Sequence, residues 1–269
     1  MLAGILIAPV IAFGGDFLFF TTTNYESVLE RMRNARVIYL GERHDSRKDH
    51  LLQFRIISDL IKRGEKVVIA MEAFQQQFQD HIDDYINGEI DEKEFLEKTE
   101  YRKRWRFEPS LYAPFWRLAR EKEIPLYALN IPSELLKEVR EKGIENVKSG
   151  YLPPRIILTH KRYEEFLREA MEDHKNVDEQ RFFDVQLAWD NGMAYRIARI
   201  LSAHPDKKIV VIIGSGHVWR GWGVPERVNY LVGELPQAVL YTKDDEVYFL
   251  FSKDFSRETS SVNSSSEPN

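Results

Sequence analysis

Two imidazoles and two carboxylates stand at positions where this chain could use them for chemistry. Glu42 and His44 follow the apolar run Ala35-Arg36-Val37-Ile38-Tyr39-Leu40, inside Gly41-Glu42-Arg43-His44. His217 follows Lys208-Ile209-Val210-Val211-Ile212-Ile213, inside Gly214-Ser215-Gly216-His217. Glu72 closes a third run, Val67-Val68-Ile69-Ala70-Met71. Glu42 and His44 are two apart, so in an extended segment they point the same way. An imidazole so placed can ligate a metal, donate to a carboxylate or act as a base. Glu72 ends an apolar run, and a carboxylate buried without a partner is costly. His44 and His217 are favoured as its partners over a salt bridge to Arg43 or Arg47. The competing reading of Glu42 is a charge near the positive end of a helix that starts at Ser46.

Further residues read as support. Gln186 and Asp190 are i,i+4 on one helix with Met193 a turn further on, so all three share a face. They form either a layer beneath the histidines or a simple buried hydrogen-bonded pair. Asn130 ends another short apolar run. Gly214 and Gly216 permit close approach of the backbone. Ser215 is not in a Gly-x-Ser-x-Gly elbow, which argues against a serine triad. His50, His81, His160, His174 and His204 lie in polar helical or turn settings and read as surface residues.

Positioning these groups is the task of the apolar runs. Short β-branched runs bounded by turn signals read as buried strands of a parallel sheet, and residues just past their carboxyl ends are where open α/β sheets build sites. Asn24 caps a helix to about Asn34, with Val28, Leu29 and Met32 inward. Ser46 caps another to about Arg63, stopped by Gly64, with Leu51, Leu52, Ile56, Leu60 and Ile61 inward. Strand, helix and strand then form a βαβ unit ending at Met71. Residues 74–98 read as two polar helices broken at Asn87-Gly88, and Tyr101–Pro109 as loop. A helix Ser110–Glu123, a strand Leu126–Leu129, a helix opened by Pro132 and helices about 159–174 and 178–203 follow. Pro225 opens a short helix. Gln237–Tyr241 and Val247–Phe251 close the chain as a hairpin around Lys243-Asp244-Asp245. The expectation is an α/β fold: a mainly parallel sheet with helices on both faces and a closing C-terminal β-hairpin.

Composition bounds the rest. The chain has 269 residues, 43% hydrophobic, with no Pro/Gly/Ser-rich linker between its periodic segments. It reads as one domain over 24–252, with an apolar segment at 1–23 and a disordered tail at 253–269. Acidic residues number 43 against 38 basic ones, with the signs interspersed, so no nucleic-acid footprint is present. The absence of cysteine excludes disulfides, thiolate metal sites and a cysteine nucleophile. Residues 2–13 are apolar without a basic n-region. They fit an export signal with a truncated start, and equally a strand pair around Ile5–Ala12 and Phe17–Thr21.

Taken in order, several stretches resemble the ChaN-like haem-binding proteins of the Tiki superfamily, a clan that also holds Tiki metalloproteases and erythromycin esterases. They are Leu40-Gly41-Glu42-Arg43-His44-Asp45, Met71-Glu72-Ala73-Phe74, Ala128-Leu129-Asn130-Ile131-Pro132, Gln186–Ala194, and Gly214–Val218 with Gly223-Val224-Pro225. Two departures stand out. Ser133 replaces an arginine common after the Asn-x-Pro turn, and no cysteine is available for a lipid anchor. The resemblance implies haem binding in uptake or carriage, stacked haems across a homodimer, and an extracytoplasmic or membrane-associated setting reached through the N-terminus. The residues themselves leave cytoplasmic placement open. Trp219 and Trp222 follow His217 in a glycine-rich loop expected to be exposed, which suits a flat porphyrin, with Arg220 and Arg227 for its propionates. Haem iron takes His or Tyr, and the chain has 12 tyrosines. The runner-up is a metal-dependent hydrolase: His44, His217, Glu42 and Glu72 would hold Zn²⁺ or Mn²⁺, with Glu42 or Glu72 as general base on a bound water.

Overall fold

The computed structural model describes residues 17–20, 24–158, 161–171, 178–243 and 246–252. The apolar stretch at 1–16, Asp244-Asp245 of the hairpin turn and the tail at 253–269 lie outside the described residues. Strands β1 (Phe17–Phe20), β2 (Val37–Glu42), β3 (Val67–Gln75), β4 (Leu126–Asn130), β5 (Lys208–Gly214), β6 (Gln237–Lys243) and β7 (Glu246–Ser252) build one sheet. Its order is β1-β7-β6-β2-β5-β3-β4. β6, β2, β5, β3 and β4 run parallel, and β7 and β1 complete one side antiparallel.

The helices are α1 (Tyr25–Asn34), α2 (Arg47–Lys62), α3 (Gln79–Ile86), α4 (Glu92–Lys98), α5 (Tyr101–Arg104), α6 (Pro109–Glu121), α7 (Ser133–Lys142), α8 (Lys161–Met171), α9 (Glu179–Ala203) and α10 (Val224–Val232). Capping explains the two early starts. The Asn24 side chain accepts from the backbone N–H of Glu26 at 3.0 Å, and Ser46 Oγ accepts from that of Asp49 at 3.3 Å. Gly64, at φ +82°, ends α2 by letting Glu65 N–H turn back to the Leu60 carbonyl.

Period-two alternation splits the strands between two cores. Ile38, Leu40, Val210 and Ile212 face one layer, packed with Ile56, Phe95 and Trp116 from α2, α4 and α6. Val37, Tyr39, Val211 and Ile213 face the other, packed with Met193, Ile197 and Val228 from α9 and α10. Helices therefore cover both faces, and β2 and β3 are buried along their whole length.

Three local expectations differ. Leu51 points to solvent at 60% exposed; the inward stripe of α2 is Asp49, His50, Gln53, Ile56, Ile57 and Leu60. The segment read as loop at Tyr101–Pro109 begins with α5. Consecutive strands β2 and β3 are not neighbours either, because β5 inserts between them. That insertion positions the site. Register sets Glu42 beside Gly214, and Glu72 one residue past the Met71–Ile212 pair. Glu72 also lies where the β3–β4 register shifts, between Met71 and Gln75. Such irregularities re-aim side chains. Among the described residues no helix is long and apolar enough to cross a membrane.

Candidate functional site

At the carboxyl ends of β2, β5 and β3 the structure brings Glu42, His44, Glu72 and His217 together. Glu42 is 3% exposed and surrounded by donors. Its Oε1 lies 3.0 Å from His44 Nδ1 and accepts from the Tyr112 hydroxyl. Its Oε2 accepts from Gln53 Nε2 at 2.9 Å and lies 3.2 Å from His50 Nδ1. Burial raises a carboxyl group, but the bonds from His44, His50 and Tyr112 outweigh it and hold Glu42 down at about 2. The Tyr112 hydroxyl is pushed far up, by burial first and then by the Glu42 charge.

Glu42 is thus no helix cap. Ser46 takes that role, and Asp49 Oδ2 accepts from Arg43 N–H at 2.9 Å. His50, read from sequence as a surface residue, is buried in this network, with Nε2 3.2 Å from the His44 carbonyl. His50 and Gln53 are polar residues three apart on the inward stripe of the helix that follows His44, and that spacing is the signal that places them here.

His217 is held in the same way from the other direction. Its Nδ1 lies 2.7 Å from Oδ1 of Asp190, a fully buried residue of α9. Its Nε2 lies 3.5 Å from Glu72 Oε1, while Glu72 Oε2 accepts from Gly214 N–H at 2.6 Å. A Cβ on Gly214 would sit 2.9 Å from His44 Cε1 and 3.4 Å from Glu72 Oε2, so a bare backbone lets the two halves meet there. For both imidazoles burial disfavours the charge. The Glu42 bond and the Glu72 charge raise His44 above its ordinary range; the Glu72 charge and the Asp190 bond raise His217.

Aromatic side chains that the sequence did not single out flank both histidines. Trp105 and Phe107, between α5 and α6, set their rings 4.6 Å and 5.0 Å from the His44 ring. Trp189 of α9 sits 5.9 Å from the His217 ring. Arg104 anchors the Trp105 segment, with two bonds to Glu134 at 3.0 and 2.8 Å and one to Gln75 Oε1 at 2.8 Å.

Trp219 and Trp222 are not an exposed platform. Trp219 stacks on Phe166 at 5.1 Å and 8° and meets Tyr241 at 5.1 Å; Trp222 is buried beside Tyr163. Positive φ at Gly221 and Gly223 folds this loop down onto the sheet. Arg220 stands over both indoles. Arg227 is fully buried, donating to the Gly223 carbonyl at 2.7 Å with Asp190 Oδ2 3.6 Å away, so it faces no solvent-side propionate.

Gln186 is half-buried one turn before Asp190, and Met193 joins the core. Asn130 is buried at the end of β4, and its Oδ1 has no hydrogen-bond partner. Among the described residues no group of three or more His, Asp or Glu comes together as a metal site.

A family model for haem-binding uptake proteins, the ChaN family of the Tiki superfamily, matches residues 28–228. The chain belongs to this family. Among solved structures, ChaN of Campylobacter jejuni, described with cofacial haem binding, is similar with a TM-score of 0.66 at 18% identity, over 87% of this chain and 94% of that one. The C-terminal region of Pasteurella multocida toxin matches with a TM-score of 0.48 at 14% identity, over 83% of this chain and 25% of that one. An erythromycin esterase mutant in its open conformation matches with a TM-score of 0.45 at 13% identity, over 82% and 75%. No curated protein matches by sequence. The family match spans β2, β3, β4 and β5, whose ends carry the site.

Proposed function

We propose that this protein binds haem at the part-exposed His44 and serves haem uptake or carriage. The observation that carries this reading is the His44 side chain itself, in a chain of a haem-binding uptake family. It is 28% exposed, its Nδ1 is fixed by Glu42, and it stands between Trp105 and Phe107. With Nδ1 committed to a carboxylate, Nε2 is the nitrogen left for a ligand. Indole and phenyl rings beside it offer apolar surface to a porphyrin. This donor set fits haem, whose iron accepts imidazole nitrogen. Two copies would then bring their haems face to face, in line with the cofacial binding described for the Campylobacter jejuni protein. Membrane association through the N-terminal apolar segment completes the uptake reading.

Hemin titrated into the purified protein should shift the Soret band and saturate at a defined stoichiometry. A spectrum no different from that with a non-binding control protein would overturn the reading.

A further inference from the structure

A porphyrin at His44 brings two propionate carboxylates, and the arginines that the sequence suggests for them stand elsewhere. Arg220 lies over the Trp219 and Trp222 indoles, and Arg227 is fully buried beside Asp190. Most other cations around the site are engaged. Arg43 pairs with Asp45 at 3.3 Å, and Lys103 with Glu100 at 3.1 Å. Arg104 is tied to Glu134 at 2.8 Å and to Gln75 at 2.8 Å. Arg102 lines a separate cleft with Leu96 of α4 and Arg117 of α6. Arg106 differs from all of these. Its side chain is exposed and has no ion pair or hydrogen bond among the described residues. It lies between Trp105 and Phe107, whose rings stand 4.6 Å and 5.0 Å from the His44 ring.

The backbone singles out the same residue. Arg106 is held at φ +69°, in the left-handed region that side chains other than glycine enter at a cost. Strained residues persist only where their surroundings over-determine them, and they gather at ligand clamps. Here Arg104 fixes the chain on one side through Glu134 and Gln75, and Pro109 opens α6 on the other. Glycine would make the same turn without strain. Arginine makes it with a guanidinium carried between two rings of the site.

We propose that Arg106 is the carboxylate anchor of the His44 site and makes it select a free-acid porphyrin over the neutral ester of the same macrocycle. This inference rests on haem binding at His44. The planar guanidinium fork matches a carboxylate with two parallel N–H···O bonds. Trp105 and Phe107 offer apolar surface to the ring system, and Arg106 answers its charge, so three consecutive residues serve the two halves of one amphipathic ligand. Buried Glu42 and Glu72 stand at the same strand ends and repel an incoming anion, which gives a cation on this segment its purpose. A porphyrin without free carboxylates leaves the guanidinium in water, and its affinity does not depend on Arg106.

The test is titration of the full-length protein with hemin and, in parallel, with iron protoporphyrin IX dimethyl ester, whose propionates are neutral. Soret absorbance and tryptophan fluorescence report the binding of either. Arg106→Gly and Arg106→Asn both suit left-handed backbone, so they remove the charge and keep the turn. Each should lower hemin affinity about tenfold, the scale of one charge-assisted pair, and leave ester affinity unchanged. Arg47→Gln, which removes an exposed arginine at the start of α2, should alter neither. The proposal is overturned if hemin affinity survives both Arg106 variants, if hemin and ester affinities fall together, or if the loss falls on Arg47→Gln instead. A protein that takes both porphyrins without regard to Arg106 keeps haem binding at His44 and loses only this anchor; one that takes neither loses both readings.

Discussion

The two imidazoles of the site are held by the same device built from different distances along the chain. His44 takes its carboxylate from Glu42, two residues away, and the donors that fix Glu42 come from the first two turns of the next helix and from Tyr112. His217 takes its carboxylate from Asp190, 27 residues away on a helix that packs the opposite face, and behind it stands the buried Arg227. The first pair is backed by neutral or weakly basic donors, the second by a permanent cation. The difference predicts how each fails.

Breaking the second pair should have the larger effect. Asp190→Ala leaves Arg227 fully buried and facing no carboxylate. Removing one partner of a buried ion pair destabilises by roughly 3–5 kcal/mol. Urea denaturation of the variant should show a loss of that size, and a loss under about 1 kcal/mol would mean Asp190 is not Arg227's counterion.

Breaking the first pair should show as a change in pH dependence. Glu42 is held at about 2 in the fold against an ordinary 4.5. A depressed carboxyl contributes stability that is complete above its ordinary value and lost as pH falls toward the folded one, about 3 kcal/mol here. His44 and His217 are raised. Their contribution runs oppositely, present below the ordinary histidine range and lost as pH rises through their folded values. Thermal unfolding followed across pH should therefore give a maximum between these windows. Glu42→Gln should flatten the acid side and leave the Asp190–His217 share of the alkaline side; an unchanged acid limb would contradict the network around Glu42. The smallest effect belongs to Gln186→Ala, one turn before Asp190 yet without a bond to His217. It should stay within about 0.5 kcal/mol, and a larger loss would add Gln186 to the second pair.

The same contrast separates what was legible in the sequence from what was not. β2, β3 and β5 announce themselves by β-branched runs, and the residues at their ends need only strand alternation and register to be placed. Glu42 with His44 is local and could be read directly. Asp190 could be placed on a helix face, but its partner depends on how α9 packs against β5, which no local spacing encodes. Trp105 and Phe107 lie in a stretch without periodicity, so nothing assigned them a face. Trp219 and Trp222 misled for the opposite reason. Glycines around them imply an open loop, whereas the left-handed turns at Gly221 and Gly223 fold it back over Tyr163, Phe166 and Tyr241. Polarity at His50 and Gln53 suggests exposure, whereas both side chains face inward to serve the buried Glu42 carboxylate.

We propose that haem is held at His44 and not at the tryptophan loop after His217. Hemin titrations of Trp105→Ala, His44→Ala and Trp219→Ala, run side by side, test it most directly. Affinity should fall about tenfold for Trp105→Ala, the scale of one lost aromatic contact, further for His44→Ala, and remain near wild type for Trp219→Ala. Loss of binding in Trp219→Ala with His44→Ala and Trp105→Ala unaffected would contradict the account.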